Sequence, residues 1–484
     1  MTQMRPSPPE PQEIVIFGAS GDLTKRKLLP AFFHLFTAGL LPERFAIVGY
    51  ARSEMSNREF AEDAREAIKR FGNVDPSGDA WEEFDKHLSY LPGEFASNQA
   101  MVHLREHLEK VGRTHGTEGR RFFYAATPPA AYAQIVARIA EAHLQPRARI
   151  VIEKPFGHDL DSAVELNRAL HEVFDETQIF RIDHYLGKET VQNILAFRFA
   201  NGMFEPIWNR RYVDGVQISV AEEIGIEGRG SFYEGTGAIR DMIQTHLFQT
   251  LTFLLMEPPV SFEPDRLRDE KVKVLRAAKH IDPDKVVLGQ YQGYRDEPGV
   301  AAGSTVETFV AMQIEIDSWR WAGVPIFLRT GKRLERKVSE ITMGFRDVPY
   351  DVFSGTGARV PGHDHLTIRV QPNEGITFAL NVKEPGIGLR LTRATMDFDY
   401  QRSFTSPLLD AYELLLVEAM EGDHTLFIRE EEAERAWEIL TPLMASLPPV
   451  HPYAPGSWGP TEADDLIRPH GWHVSRRGDE AGSG

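Results

Sequence analysis

The chain contains no cysteine. That excludes disulfides, thiolate nucleophiles and cysteine-ligated zinc or iron–sulfur centres. Long apolar runs are missing too: none approaches the ~20 residues needed to span a bilayer. Positive charge is scarce beside negative, with 54 Lys and Arg against 71 Asp and Glu and a net charge of −17. An acidic surplus argues against sequence-independent binding of nucleic acid. It also repels an anionic ligand at long range, so any phosphate site must be built from local cations. No internal repeat or low-complexity block interrupts the chain. The opening MTQMRPSPPEPQE lacks an apolar signal core and is rich in proline. Residues 1–12 are therefore expected to form a disordered arm, residues 476–484 (RRGDEAGSG) a disordered tail, and the whole a cytoplasmic enzyme. A length of 484 residues exceeds one core, which gives two large domains, 13–186 and 187–475.

The first domain reads as strands alternating with helices, the grammar of a Rossmann-like doubly wound parallel sheet. Strands are expected at Glu13–Phe17, Phe45–Tyr50, Arg121–Ala126, Arg149–Glu153 and Gln178–Ile182. The first stops at Gly18-Ala19-Ser20-Gly21-Asp22-Leu23 and a helical pattern follows, the setting of a dinucleotide fingerprint. Glycines admit a pyrophosphate close to the backbone, and the N–H groups opening the helix face its charge. The spacing is G-x-x-G, shorter than the usual fingerprint. The second strand is followed by Arg52, where NAD-specific folds put an acid. A guanidinium suits a 2′-phosphate, which favours NADP; Glu54 nearby leaves dual use open. Thr127-Pro-Pro129 and Glu153-Lys-Pro-Phe-Gly157 end two further strands on the ligand side, so Thr127 and Lys154 face the same crevice. A helical stretch is expected over roughly Trp81–Val111. Within it His103-x-x-Glu-His107 matches a zinc pattern but has no distinctive third ligand, so it reads as an amphipathic surface.

The densest chemistry lies in Arg181-Ile-Asp-His-Tyr-Leu-Gly-Lys-Glu189, between a buried strand and a helix. A lone DHY triplet is more often a solvated connection; here Asp183, His184, Tyr185 and Lys188 fall in one segment at a strand's carboxyl end. Beyond residue 189 the strand-like runs lengthen and helices thin out. A large, mostly antiparallel sheet with helices on one face is expected, an α+β second domain. The helices 237–256, 408–420 and 430–447 would cover it. On the first of these, counted as an α-helix, Asp241 lies about 140° around from His246. The two would then not share a face, and the candidate partner for His246 is Asp183.

Four blocks make the chain resemble the glucose-6-phosphate dehydrogenase family: R-I-D-H-Y-L-G-K-E, E-K-P-F-G, I-R-D-M-I-Q-T-H-L and R-T-G-K-R-L. The resemblance runs from Ile14 to about Ile428. It implies NADP-dependent oxidation of D-glucose 6-phosphate to 6-phospho-D-glucono-1,5-lactone, the entry to the pentose phosphate pathway. By the same resemblance His246 is the general base and Asp183 orients it. Lys154 stands between sugar phosphate and nicotinamide, with a cis bond to Pro155. His184, Tyr185 and Lys188 bind the phosphate, joined from the second domain by Lys332 and Lys337, and Glu222 and Asp241 bind sugar hydroxyls. Gln371 and Tyr412 also fall in matching blocks. A homodimer or homotetramer is implied, with no metal. Ala221 and Glu223 depart from residues some members carry beside the sugar-binding acid, and the second, structural NADP site of animal members is not expected. The competing reading is a non-catalytic NADP-sensing protein on the same fold.

Overall fold

Six apolar runs at the start of the chain pair side by side, all parallel, in the computed structural model, which describes residues 8–72, 74–353, 356, 359–404 and 409–475. They are β1 (Gln12–Phe17), β2 (Phe45–Ala51), β3 (Leu88–Pro92), β4 (Arg121–Ala125), β5 (Ala148–Glu153) and β6 (Ile179–Ile182). Their order is β3-β2-β1-β4-β5-β6. Every residue of β1 and β2 is buried, as expected of strands covered on both faces. Strand order reverses between β1 and β4, and the crevice outside their carboxyl ends is where such sheets take a ligand.

One strand departs from expectation. The stretch 81–111 divides into a helix Gly78–Asp85, the edge strand β3 and a helix Asn98–His115. The Leu88-Ser-Tyr-Leu-Pro92 run is short and partly exposed, with Leu88 and Tyr90 turned inward and Ser89 outward. Only Lys86 and His87 separate it from the helix before it, with no glycine or proline to mark the break. The two histidines of the zinc-like pattern take separate partners, His107 with Ser89 (3.1 Å) and exposed His103 with Gln99 (3.0 Å).

The second sheet has nine strands: β7 (Val213–Ala221), β8 (Val286–Tyr291), β9 (Phe309–Ile314), β10 (Ile326–Gly331), β11 (Val338–Phe345), β12 (His365–Gln371), β13 (Gly375–Lys383), β14 (Leu391–Asp399) and β15 (Val450–Tyr453). The order is β14-β13-β12-β11-β7-β10-β9-β8-β15. Pairing is antiparallel except for β7 with β10 and β8 with β15. The expected α+β architecture is therefore present, with more strands than the hydrophobic pattern marks. β10 is buried along its whole length, so it shows no alternation to mark it as a strand.

Two compact units divide the chain: Met1–Gly187 with Val260–Arg268 and Leu409–Glu434, and Lys188–Pro259 with Asp269–Leu408 and Arg435–Gly484. Both are built from separated stretches, whereas the sequence division at 186/187 is continuous. The arm at residues 1–7 and the tail at 476–484 lie outside the described residues. The helix expected at 408–420 to cover the second sheet is instead Ala411–Glu421 and belongs to the first unit; residue 408 is outside the described residues. Arg149 of β5 donates to the carbonyls of Met420 and Glu421, satisfying the helix's last turn. The chain then leaves through Gly422 in the left-handed region.

Burial lifts the Glu418 carboxyl on this helix to about 8, helped by Asp423 and Glu421. The unfolded chain ionises it near the ordinary 4.5, so folding is opposed progressively as pH climbs from about 5 to about 8, and by a constant amount above that. Glu418→Gln should melt a few °C above the parent at pH 8–9 and converge with it near pH 5, read by calorimetry across that range.

Candidate active site

In the first unit the loop after β1 is shaped for close approach. Gly18 has φ +84°, and a Cβ there would sit 2.3 Å from the Ala126 carbonyl oxygen and 3.2 Å from Thr127 Cγ2. Only glycine fits both the dihedral and the space. Gly18 N–H donates to Tyr50 O (2.8 Å) and Gly21 N–H to Gly18 O (2.8 Å), so the turn is tied to β2 and closed on itself. Ala126 N–H donates to Phe17 O (2.9 Å), which sets Thr127 beside the turn. Ser53 and Ser20 meet through their hydroxyls at 3.3 Å, so exposed Arg52 lies at the lip of the same cradle. The expected cofactor residues Gly18 to Leu23, Arg52 and Thr127 thus gather at the ends of β1, β2 and β4. A glycine cradle with a helix beginning at once behind it fits a dinucleotide's pyrophosphate.

Lys154 and Asp183 follow β5 and β6, the next two strands of the same sheet. The Lys154–Pro155 peptide is cis, as expected. Asp183 is fully buried and accepts the N–H of Tyr185 at 2.9 Å, a short turn that bends the DHY segment back on itself. Tyr185 is buried, and the His184 ring lies 6.3 Å from that of Tyr412, 9° from parallel.

Glu153, at the end of β5, carries several of these groups. Its carboxylate accepts the Tyr124 hydroxyl at 2.5 Å and also the Tyr412 hydroxyl, while its carbonyl accepts Tyr132 Oη at 3.0 Å. Burial pushes the carboxyl up to about 7 and Asp183 adds to the rise; the Tyr124 hydrogen bond, Lys154 and Tyr412 hold it down. Sequence reasoning points to Lys154 here and misses Glu153. An acid closing an otherwise apolar strand, Ala148-Arg-Ile-Val-Ile-Glu153, is the signal that could have found it.

In the second unit His246 is 1% exposed and lies on Ile239–Leu247, which is a π-helix rather than part of one α-helix from 237 to 256. Such turns bond residues five apart and recur at functional sites. Asp241 and His246 are five apart, so the angular argument that kept them on different faces does not hold in this segment. A break at Gly237 (φ 65°) starts it, where a Cβ would lie 2.4 Å from the Glu307 carboxylate. Buried Glu307 accepts the Ile239 N–H at 3.0 Å and its carbonyl accepts that of Ala238 at 3.0 Å, anchoring the start of the turn. Nothing local in the sequence marks Glu307 for this task.

Lys332, 4% exposed, is ion-paired with Glu222 and stands 5.3 Å from the centre of the Tyr233 ring. Burial raises the Tyr233 phenol, with the Asp241 carboxylate next in effect. Glu222, Asp241 and Lys332 thus lie around the Tyr233 ring. Lys188 Nζ donates to Gln371 Oε1 (2.8 Å), and Gln371 Nε2 to Ser339 Oγ (3.2 Å), so β11 and β12 fix the amine. Lys337 is exposed just before β11, whose first residue Val338 pairs with Ala221, the neighbour of Glu222.

Residues 15–193 match the model of the glucose-6-phosphate dehydrogenase NAD-binding domain, and residues 195–474 that of its C-terminal domain. The chain is 42% identical over 479 residues to the glucose-6-phosphate 1-dehydrogenase of Aggregatibacter actinomycetemcomitans, covering 95% of this chain and 96% of that protein. It is 43% identical over 478 residues to glucose-6-phosphate 1-dehydrogenase 2 of Mycobacterium bovis, covering 95% and 93%. The crystal structure of glucose-6-phosphate 1-dehydrogenase from Mycobacterium avium shares 38% identity at a TM-score of 0.86, covering 96% of this chain and 99% of that one. A glucose-6-phosphate dehydrogenase in complex with its substrate glucose-6-phosphate shares 38% identity at 0.89, covering 98% and 100%. Matched by both domain models and by relatives along nearly its whole length, the chain belongs to the glucose-6-phosphate dehydrogenase family.

Proposed function

We propose that the chain oxidises D-glucose 6-phosphate at C1 to 6-phospho-D-glucono-1,5-lactone, with NADP as the nicotinamide cofactor. What carries the reading is a buried imidazole and a buried carboxylate, His246 and Asp183, in a chain that matches the family from residue 15 to 474. A protein that only senses a cofactor needs neither.

The bound dinucleotide supplies the acceptor for the hydride leaving C1. The Gly18–Leu23 turn would hold its pyrophosphate, and Arg52 its 2′-phosphate. His246 takes the proton of the C1 hydroxyl, so that the C–O bond gains double-bond character as the hydride departs. Asp183 orients that imidazole and stabilises its charged form. Lys154, His184, Tyr185, Lys188, Lys332 and Lys337 supply donors for the phosphate dianion, offsetting locally the net negative charge of the chain. Glu222 and Asp241 accept sugar hydroxyls, with Lys332 holding Glu222 in place. Carboxylates used this way discriminate strongly, because an analogue lacking the hydroxyl leaves them unpaired.

A cytoplasmic homo-oligomer completes the reading. No described helix is long and apolar enough to cross a membrane. Among the described residues β14 is a nine-residue strand at the edge of the second sheet, paired with β13, and its Met396 is 58% exposed. Long, open edge strands are rarely left bare in a monomer.

The direct test is absorbance at the NADPH band. Adding glucose 6-phosphate and NADP to the purified chain should give a continuous rise, whereas glucose and galactose 6-phosphate should give much slower ones. No rise with any of the three sugars would leave the non-catalytic reading standing.

A further inference from the structure

We propose that Glu153 is a positioning residue for this oxidation: its carboxylate holds the Tyr412 phenol, and through that ring His184, in place for the sugar phosphate. The inference rests on the functional reading above. All the groups involved lie in the first unit. Glu153 ends β5, Tyr124 ends β4 but one residue, and Tyr412 is in the first turn of the helix Ala411–Glu421. The two hydroxyls converge on one carboxylate, so a strand and a helix far apart in sequence are joined through it. Tyr132 fixes the same residue from its backbone side. Tyr412 is set on its other neighbours as well: Lys27 Nζ lies 5.8 Å from its ring centre and pairs with Asp410 at 3.2 Å. The ring then lies nearly parallel to His184, two residues from buried Leu186 and one from Asp183.

The arrangement depends on charge. An ionised carboxylate only accepts, so it serves both phenols; protonated, it becomes a donor as well and has less to offer two O–H groups. The charged and titratable groups facing it are Tyr124 from β4, Tyr412 from the helix, Lys154 at its own strand end and Asp183 after β6. Their balance, with burial, leaves the carboxyl titrating close to neutrality. Below that point Tyr412 loses a full acceptor, and the His184 ring loses its backing.

Three variants test this against glucose 6-phosphate. In an active parent, Glu153→Gln should raise KM for the sugar phosphate about 10-fold at pH 8, the usual worth of one hydrogen bond to a charged group. KM for NADP should change less than about 2-fold. The parent's KM for the sugar phosphate should rise as pH falls through about 7, and this rise should flatten in Glu153→Gln. Tyr412→Phe should raise the same KM, and the double variant should be no worse than the poorer single one, as groups acting through one contact are not additive. Glu153→Asp should recover part of the loss. Unchanged KM in both single variants, or additive losses with the parent's pH profile intact, would overturn the role. Should Glu153→Gln fail to fold, Tyr412→Phe decides alone: an unaltered KM with unaltered pH dependence sinks the proposal. A parent without activity would instead defeat the functional reading.

Discussion

Replacing His246 with asparagine should lower kcat about 10²- to 10⁴-fold while leaving substrate and cofactor binding within a few-fold of the parent. The range is that of removing a general base from a proton transfer. Asparagine keeps a polar side chain of similar reach in a site that is 1% exposed, so packing is largely retained. What it lacks is a nitrogen able to accept a proton near neutral pH. Steady-state turnover together with calorimetric binding of glucose 6-phosphate separates the two effects. Near-normal turnover would remove His246 as the base. Asp183→Asn should act in the same direction with a smaller effect, because the base remains and only its orientation and charge stabilisation are lost. A loss in Asp183→Asn with none in His246→Asn would place the proton transfer elsewhere.

Features decided by neighbouring residues are legible in the amino-acid sequence. Gly18 stands where a strand of apolar residues stops and a helix begins, and that local sequence is enough to imply its positive φ. Lys154 is legible because a stiff Pro-Phe-Gly follows it at a strand end, and Arg52 because it is the first charge after β2. Features decided at a distance are not. The π-helical turn at Ile239–Leu247 depends on Glu307, more than sixty residues along, capping its first N–H groups. A 3.6-residue count therefore does not apply between Asp241 and His246. Helix Ala411–Glu421 has an apolar side that suits either sheet; the bonds from Arg149 and Gln12 to its last carbonyls tie it to the first. β10 lacks alternation because it is buried along its whole length, and β3 is an edge only five residues long that no glycine or proline separates from the helix before it. Glu153 is hidden differently. It stands in the E-K-P-F-G block, but only the fold brings Tyr124 and Tyr412 to it.

Arg52→Ala should weaken NADP about 10- to 100-fold and leave NAD nearly untouched, collapsing the preference between them. The turn that carries Arg52 is fixed: Tyr90 Oη donates to Ser53 O at 2.7 Å, and Ser53 meets Ser20 across the cradle. Its guanidinium therefore starts from a set backbone at the end of β2, where the ribose of a bound dinucleotide falls in this sheet. Charge-assisted hydrogen bonds to a phosphate are worth about 1.5–3 kcal/mol each, whereas the ribose hydroxyl of NAD gives a cation little to hold. Arg52→Lys should fall between, keeping the charge and losing the planar two-pronged fit. The measurement is kcat/KM for each cofactor at saturating glucose 6-phosphate, repeated at two salt concentrations. The NADP advantage of the parent should shrink as salt rises, since Arg52 is exposed and its attraction is screened. Equal losses for NADP and NAD would take Arg52 off the 2′-phosphate and leave cofactor choice to the shape of the cradle.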